Sequence, residues 1–363
     1  MTAPTIAAIE ARALRVPLAR PWAADVRELG VIVVTVTDSD GAQGIGFSWT
    51  PSIGAGAVRA LIDDDLAPFL TGCAANTSGW QAAWEHVHEA GGGGVTTIAL
   101  AGIDLALWDL RGKREGASLA SLLGRTRESQ PVYGSGVNLH YSLAELESQA
   151  RRWVAAGYAG AKIKIGKPDL AEDLDRVAAV RSILGPERAL MVDANQRWQL
   201  PRAIEAAQEL AAFDVAWLEE PLRADDTAGY RALHAESAVP IALGENLHTI
   251  HRFRDFLDAG AIDVAQPNIV RVGGVTPFLA IAAVVRDAGV TLAPHLLPEL
   301  SAQVAFALDD ETWIEDVEDA GFWQSGALER PSGVEFAGGR VTGGNRPGLG
   351  LDFVNDITTG DER

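Results

Sequence analysis

The order of apolar and polar positions changes character near residue 125. Before that point, alternating strand-like patterns come first, over 5–18, 29–37 and 44–49, and helical patterns follow. Within 95–112, four apolar residues fall on one helical stripe: Ile98, Ile103, Leu107 and Leu110. Period-two runs joined by short turns indicate antiparallel strands, whereas a 3.6-residue stripe indicates an amphipathic helix. Residues 1–125 are therefore predicted to form an α+β domain.

After residue 125, short apolar runs alternate with amphipathic helical patterns. Predicted strands lie at 131–134, 160–164, 189–193, 215–218, 240–243, 262–265, 291–294 and 312–314. A strand–helix repeat of this spacing pairs its strands in parallel, and eight units close into a (β/α)8-type barrel. The prediction is an α/β fold with a (β/α)7β barrel over residues 126–325. The Gly- and Pro-rich segment 326–363 is predicted to return and complete the first domain.

Polar residues stand at the carboxyl ends of seven consecutive predicted strands, where barrel enzymes carry their active sites. They are Lys162 and Lys164, Asp193 with Asn195, Glu219, Glu245, Asn268, His295 and Glu315. Any one of them has an ordinary explanation, because acidic residues often cap the helix that follows a strand. For Glu220, next to Glu219, that explanation is preferred. The set as a whole predicts a functional site at this end of the barrel.

Three of these residues, Asp193, Glu219 and Glu245, are carboxylates on adjacent strands. Without a counter-charge they would repel one another and would be costly to remove from water. A hard divalent cation resolves this repulsion, and a set of oxygen-only ligands favours Mg²⁺. The sequence therefore predicts a magnesium site that leaves coordination positions for water or for a substrate carboxylate.

Groups that can move protons flank the predicted metal site on both sides. Lys162 and Lys164 point the same way because alternate residues of a strand share a face. Two neighbouring ammonium groups lower each other's pKa, and a lysine with a lowered pKa can act as a general base. Taken alone, the pair would also fit an exposed edge strand. With His295 across the barrel, the arrangement suits abstraction of the α-proton of a carboxylate, with the metal stabilising the enediolate.

Composition narrows the classes of partner. The net charge is −19 and the pI is near 4.7, which argues against a nucleic-acid surface. No apolar window is long enough to span a membrane, and the amino terminus has no signal-peptide core. A single cysteine, Cys73, excludes an intramolecular disulfide and fits a reducing compartment. We therefore expect a cytoplasmic protein with neither a nucleic-acid nor a membrane partner.

Short motifs mark the predicted strand ends. They are Lys162-Ile-Lys164, Asp193-Ala-Asn195, Glu219-Glu220-Pro221, Gly244-Glu245-Asn246 and Gly273-Gly274, together with His295 and Glu315. As a set they resemble the motifs of the enolase superfamily, in its mandelate racemase branch. The resemblance covers essentially the whole chain and implies a capping domain, a barrel and a returning tail. Within that branch, the chain is similar to sugar-acid dehydratases and cycloisomerases.

The resemblance also implies roles for individual residues. Mg²⁺ would bind the three carboxylates, and Lys164 would be the base on one face of the substrate. Lys162 would lie near the substrate carboxylate, and His295 would be an acid or a base on the opposite face. The loop 19–28 and the segment after Trp49 would close over the substrate. Further substrate-binding residues would be Glu315, Asn195, Asn268 and Trp22.

One position departs from the resemblance. At the end of strand six the mandelate racemase branch usually has an Asp that pairs with the histidine, and the muconate-lactonizing branch has a catalytic Lys, but here the residue is Asn268. A neutral amide can orient an imidazole but does not stabilise an imidazolium as a carboxylate does. His295 could then be an acid or only a binding group, or another carboxylate could replace the Asp.

We expect Lys164 to be the only base, with His295 donating a proton. This predicts a sugar-acid dehydratase. A cycloisomerase of a lactone or an anhydro-sugar acid, and a racemase or epimerase, are the alternatives.

Two hypotheses from other classes stay open. A Schiff-base aldolase could use Lys164, although such an enzyme needs no metal and three strand-end carboxylates argue against it. A non-catalytic binding protein on a degenerate barrel is suggested only by Asn268. Loops that neighbouring subunits complete would also be compatible with a homo-oligomer.

Overall fold

Three antiparallel strands open the fold and pair in the order β1-β2-β3. They are β1 (Ile6–Pro17), β2 (Glu28–Asp38) and β3 (Gln43–Thr50). The turn between β2 and β3 is fixed by Asp38, whose Oδ1 accepts the N–H groups of Asp40 and Ala42, each at 3.0 Å. Each strand agrees with its prediction to within one residue at either end. The structure, a computed structural model, describes residues 3–22 and 26–357, so part of the predicted loop 19–28 lies outside the described residues.

The helices of the first domain follow the sheet. They are α1 (Ala55–Leu61), which continues through a π-helical turn (Ile62–Leu66) into α2 (Ala67–Leu70), then α3 (Trp80–Val87), α4 (Val95–Glu115) and α5 (Leu119–Leu122). Helix α4 packs closely on β3, because a Cβ atom at Gly46 would lie 2.2 Å from the carbonyl oxygen of Gly102. Among the described residues, no helix is long and apolar enough to cross a membrane.

Eight parallel strands form the barrel. They are β4 (Gln130–Ser135), β5 (Gly160–Lys164), β6 (Ala189–Asp193), β7 (Val215–Glu219), β8 (Ile241–Leu243), β9 (Val264–Ala265), β10 (Thr291–Leu292) and β11 (Ile314–Val317). Strands β4 to β10 pair in sequence order, and β11 pairs with β4. Seven helices connect them: α6 (Leu143–Ala155), α7 (Leu170–Leu184), α8 (Leu200–Leu210), α9 (Thr227–Glu236), α10 (Ile250–Asp258), α11 (Val275–Asp287) and α12 (Pro298–Ala305). The predicted (β/α)7β fold is confirmed.

The later strands are shorter or shifted relative to the predictions. Strand β9 covers only the second half of 262–265, and β10 ends two residues before 294. Pro294 explains the early end of β10, because proline has no N–H to donate to a ladder. Beyond the strand, the chain is still held, since the N–H of His295 donates to the carbonyl of Pro267 at 3.2 Å.

The carboxyl-terminal segment contacts both domains. Its hairpin, β12 (Val334–Ala337) and β13 (Arg340–Gly343), pairs with the barrel strand β4 rather than with the first sheet. Beyond the hairpin, the N–H of Leu349 donates to Asp109 on α4 at 2.8 Å, and the ring of Phe353 lies 5.4 Å from that of Phe47 on β3. The predicted return to the first domain thus concerns the last part of the tail. The boundaries at residues 125 and 325 stay a prediction.

A side chain of the first domain caps a helix of the barrel. Asp104 on α4 accepts the N–H of Thr276, in the first turn of α11, at 3.0 Å. There is no space for a Cβ atom at Gly274, since it would lie 2.2 Å from Asp104 Oδ2. Trp108 adds a 3.0 Å hydrogen bond from its indole N–H to the Thr276 hydroxyl. Burial raises the pKa of Asp104 to about 7.

Candidate active site

Strand register brings the three predicted metal ligands together. Asp193 ends β6 beside Glu219 at the end of β7, and Glu245 follows β8. One carboxylate oxygen from each residue lies within 4.8 Å of the others, and all three residues are buried. Because parallel strands end at the same rim of the barrel, residues 26 positions apart in sequence become neighbours.

The charges around this cluster fit a divalent cation. Five buried carboxyl groups, Asp193, Glu219, Glu220, Glu245 and Glu315, face two lysines and one histidine. Arg271 adds a fourth basic group, which lowers the pKa of Glu245. Even with all four basic groups protonated, full ionisation leaves an excess of negative charge. A divalent cation would offset this excess, and carboxylate oxygens are the donors that Mg²⁺ prefers. The residues present therefore fit a magnesium ion held by Asp193, Glu219 and Glu245.

Lys162 lies inside the barrel, below the carboxylate rim. It is 1% exposed, and its Nζ is 2.7 Å from Glu219 Oε1 and 2.9 Å from Glu315 Oε1. Burial lowers the pKa of Lys162, but Glu219 and Glu315 outweigh that effect, and the net pKa lies well above its ordinary value. Lys162 therefore contacts a predicted metal ligand, Glu219, from inside the barrel. Its predicted contact with the substrate carboxylate stays a prediction.

Lys164 stands at the end of β5 and reaches the rim. Its Nζ contacts Asp193 Oδ2. Burial lowers the pKa of Lys164 and the charge of Lys162 lowers it further, as expected from the sequence. The expected net lowering is nevertheless wrong for this structure, because Asp193 raises the pKa by more and the net pKa lies above its ordinary value. A cation bound to Asp193 would weaken this ion pair.

The partners of His295 assign its tautomer. Asn268 Oδ1 accepts the N–H groups of Val270 and Arg271, at 3.0 and 3.1 Å, so its amide nitrogen is turned towards the imidazole. That nitrogen lies 3.1 Å from His295 Nδ1, which must therefore be the acceptor. The ring proton is then on Nε2, which lies 2.7 Å from Glu245 Oε2. Burial lowers the pKa of His295, but Glu245 raises it, and the net pKa is above its usual value.

Of the other residues predicted to bind substrate, Asn195 and Glu315 contact residues of the site, whereas Trp22 lies beside it. Asn195 donates its N–H to Asp193 Oδ1 at 2.8 Å, so it supports a predicted metal ligand. Glu315 accepts the N–H of Leu296, next to His295, at 3.0 Å. Lys162 outweighs the effect of burial and lowers the pKa of Glu315 to about 2. Trp22, Trp49 and Leu296 together line a small cavity. Trp22 therefore borders the segment that follows His295, and not the carboxylate cluster itself.

The preferred explanation of Glu220 was wrong. The following helix, α9, is capped by Asp226, whose side chain accepts the N–H of Gly229 at 2.8 Å. Glu220 is instead fully buried beside the cluster and accepts hydrogen bonds from Asn246 at 2.8 Å and from Gln196 at 3.0 Å. The sequence signal was present in the Gly-Glu-Asn motif after β8, which supplies one of these donors.

Sequence reasoning also missed two side chains that hold the cluster. Gln266, after β9, donates to Glu219 Oε2 at 2.7 Å. Asn138, after β4, accepts the main-chain N–H of Lys164 at 2.9 Å. Both are neutral amides outside the recognised motifs, and only the strand-end position of Gln266 could have indicated its role.

The fold and these groups define a class of barrel enzyme in which a divalent cation site lies between a lysine and a histidine. Two family models place the chain within that class. The model described as "Mandelate racemase / muconate lactonizing enzyme, N-terminal domain" matches residues 5–124, and "Enolase C-terminal domain-like" matches residues 145–357. The chain belongs to the mandelate racemase/muconate lactonizing enzyme family of the enolase superfamily.

Similar proteins carry sugar-acid activities. The chain is 39% identical to 3,6-anhydro-alpha-L-galactonate cycloisomerase of Streptomyces coelicolor, over 89% of each chain. It is 35% identical to L-talarate/galactarate dehydratase of Salmonella typhimurium, over 89% of this chain and 80% of that protein. The structure of L-talarate dehydratase from Polaromonas sp. JS666, complexed with Mg and L-glucarate, superposes with a TM-score of 0.86 at 35% identity, covering 97% of this chain and 96% of that one. The predicted magnesium-dependent enzyme of this superfamily is confirmed.

Proposed function

We propose that this protein is a Mg²⁺-dependent dehydratase of a hydroxylated sugar acid. One observation carries the proposal: the site offers a lysine on one side and an imidazole that carries its proton on Nε2 on the other. One base and one acid are what β-elimination requires, because a proton leaves the α-carbon and another joins the departing oxygen. The talarate and galactarate dehydratases among the relatives carry out a reaction of this class by name.

The chain's own residues perform the proton transfers. Mg²⁺, when bound, supplies positive charge that stabilises the negative charge developing on the substrate carboxylate. Lys164 Nζ, in its neutral form, accepts the α-proton. The electron pair left on the α-carbon forms a double bond to the β-carbon as the β-carbon–oxygen bond breaks. His295 Nε2 donates its proton to the departing oxygen, which leaves as water, and the enol that remains becomes a 2-keto acid. Because Nδ1 carries no proton, the ring is left as an imidazolate. The cycle closes when Lys164 releases the proton it accepted to solvent and the imidazolate takes one back from solvent.

The remaining predicted residues bind and orient the substrate in this proposal. Glu315 and Lys162 fix the rim from inside the barrel, with Nζ of the lysine 2.9 Å from the carboxylate. Asn195 supports Asp193, and Trp22 closes the end of the site beside Leu296. The cytoplasmic location and a homo-oligomeric assembly also belong to the proposal.

A cycloisomerase is the second candidate, favoured by the 39% identity to the anhydro-galactonate enzyme. In a 3,6-anhydro sugar acid the ether oxygen is attached to the β-carbon. The same base and acid would therefore open the ring, and His295 would protonate the ether oxygen instead of a hydroxyl group. A racemase is less suited, because an imidazole with its proton on Nε2 offers no second base to the substrate.

A screen of acid sugars with Mg²⁺ in D₂O, followed by proton NMR and mass spectrometry, tests the proposal. A dehydratase gives a product lighter by one water, a cycloisomerase gives an isomer of equal mass, and a racemase gives an inverted and deuterated α-carbon. Only the first outcome supports the leading proposal. Trapping of substrate by borohydride would favour the Schiff-base aldolase, and a failure to bind Mg²⁺ in calorimetry would favour the binding protein.

A further inference from the structure

Strand β5 extends beyond its pairing with β4, and Lys164 lies in the unpaired part. The two strands pair only at Gly160 and Ala161 of β5. On its other side, β5 stays in register with β6 as far as Lys164 and Asp193, and the next residue, Ile165, donates its N–H to Asp193. The buried main-chain groups of Lys164 on the β4 side therefore need partners other than a strand.

Two side chains supply these partners. Asn138 Oδ1 accepts the N–H of Lys164 at 2.9 Å, and Arg176 Nη2 lies 3.4 Å from its carbonyl oxygen. Asn138 is fully buried and Arg176 is 4% exposed. The main chain that carries the proposed base is thus held by side chains where strand pairing has ended.

Arg176 connects three segments of the rim. It projects from α7 and donates to the carbonyl of Asn138 at 2.9 Å and to that of Tyr141 at 3.0 Å, besides its contact with Lys164. A buried guanidinium is costly unless hydrogen bonds satisfy it, and burial lowers the pKa of this one. Its bonds tie the turn after β4 to the end of β5.

The orientation of the Asn138 amide is set by a second amide. Asn138 Nδ2 donates to Gln149 Oε1 at 2.9 Å, and Gln149 Nε2 donates to Glu318 at 2.7 Å. Gly136 leaves the space for this arrangement, because a Cβ atom there would lie 2.5 Å from Gln149 Nε2. Asn138 Oδ1 is therefore directed at Lys164 rather than free to rotate.

We propose that Asn138 and Arg176 are positioning residues that hold the main chain of Lys164 at the geometry needed for proton abstraction. The proposal rests on the proposed function of Lys164 as the base. Proton transfer needs the base within hydrogen-bond reach, and a misplacement of about 1 Å can cost about 100-fold in rate. A long lysine side chain reaches a defined point only if its main chain is fixed.

Two substitutions remove the contacts separately. In Asn138→Ala and in Arg176→Met, we expect kcat to fall by about 10- to 100-fold. KM and the Mg²⁺ dissociation constant should change by less than about 3-fold, because no metal ligand is removed. Arg176→Lys keeps a donor and should restore part of kcat. A change confined to KM would contradict the proposal.

Arg181 provides a matched control on the same helix. It also donates to main-chain carbonyls, those of Phe213, Gly185, Arg188 and Asp214, but at the opposite end of the helix. Arg181→Met should lower the thermal unfolding temperature as Arg176→Met does and leave kcat unchanged. An equal loss of kcat in both variants would show that only stability is at stake, and would overturn the proposal.

Hydrogen exchange measured by mass spectrometry separates positioning from the proposed function. The segment 160–166 should exchange faster in Asn138→Ala than in wild type, and at the wild-type rate in Arg181→Met. Unchanged exchange in Asn138→Ala would overturn the positioning role, as would faster exchange with wild-type kcat. A wild-type protein that is inactive on every acid sugar would instead refute the proposed function, and the exchange data would still decide whether Asn138 holds Lys164.

Discussion

The lysine side and the histidine side of the carboxylate cluster differ in how the reacting side chain is held. Lys164 is fixed through its main chain by Asn138, while its Nζ contacts only Asp193 among carboxylates within ion-pair distance in the described part of the chain. His295 is fixed through its ring, with a partner within 3.1 Å of each nitrogen. The residue after it, Leu296, has a left-handed φ of 56°, which only a well-determined local structure tolerates.

This difference separates the roles of the two groups. A base that accepts a proton from carbon must leave its ion pair and reach the substrate, so a fixed main chain and a long side chain suit it. An acid must hold its proton on a defined atom, and a ring held at both nitrogens does so. The two sides are therefore not interchangeable, which favours elimination over racemisation.

The largest expected effect comes from removing the base. Lys164→Ala should lower kcat by about 10²- to 10⁴-fold, the usual contribution of a general base. Incorporation of deuterium at the substrate α-carbon in D₂O should fall with it, because both processes begin with the same proton transfer. NMR of substrate recovered from D₂O measures this, and exchange at the wild-type rate would refute the base assignment.

Removing the acid should lower turnover without stopping deuterium exchange at the α-carbon, whereas both fall together in Lys164→Ala. His295→Asn should lower kcat by about 10²- to 10³-fold, since the departing oxygen receives no proton. Deuterium should still enter the α-carbon, because Lys164 continues to remove and return the proton. Loss of exchange together with turnover would mean that the two sides do not have distinct roles.

A substitution that reverses the imidazole tautomer should make the two sides more alike. In Asn268→Asp, the carboxylate would accept a proton from Nδ1 and leave Nε2 as a base, as in an Asp–His pair. We expect turnover to fall by about 10-fold and inverted α-carbon to become detectable by NMR. Unchanged turnover without inversion would contradict the assigned tautomer.

The smallest expected effect concerns the metal. Lys164 and His295 each contact one predicted ligand, Asp193 and Glu245 respectively, and so compete with a cation for it. Lys164→Ala and His295→Asn should therefore each tighten Mg²⁺ binding, by about 3- to 10-fold. Calorimetry on the two variants measures this, and weaker binding in either would argue against competition on that side.

The positions of the site residues were predictable from the sequence, because parallel strands bring distant residues to one rim. Asp193, Glu219 and Glu245 needed only the correct strand ends. The sign of the pKa shift of Lys164 was not predictable, since it depends on the register that places Asp193 beside it. Residue spacing within β5 predicts only that Lys162 lowers the pKa of Lys164, and this effect is weaker than the raising effect of Asp193.

The roles of the side chains that hold the site in place could not be predicted from the sequence either. The orientation of Asn268 depends on the main-chain N–H groups that its oxygen accepts after β9. The role of Asn138 depends on where β4 and β5 separate. The pattern of a capping acid is common and favours that role for Glu220, whereas its actual partner, Asn246, comes from the segment after the next strand.

The cap that Asp104 provides for helix α11 limits how such proteins can be recombined. In a barrel expressed without the first domain, the main-chain N–H of Thr276 in the first turn of α11 would lose its acceptor, Asp104. Exchanging first domains between relatives to transfer substrate preference must therefore preserve an acidic residue at position 104 opposite Gly274 and Thr276. Chimaeras should therefore be designed with crossovers that keep Asp104 and the start of α11 together.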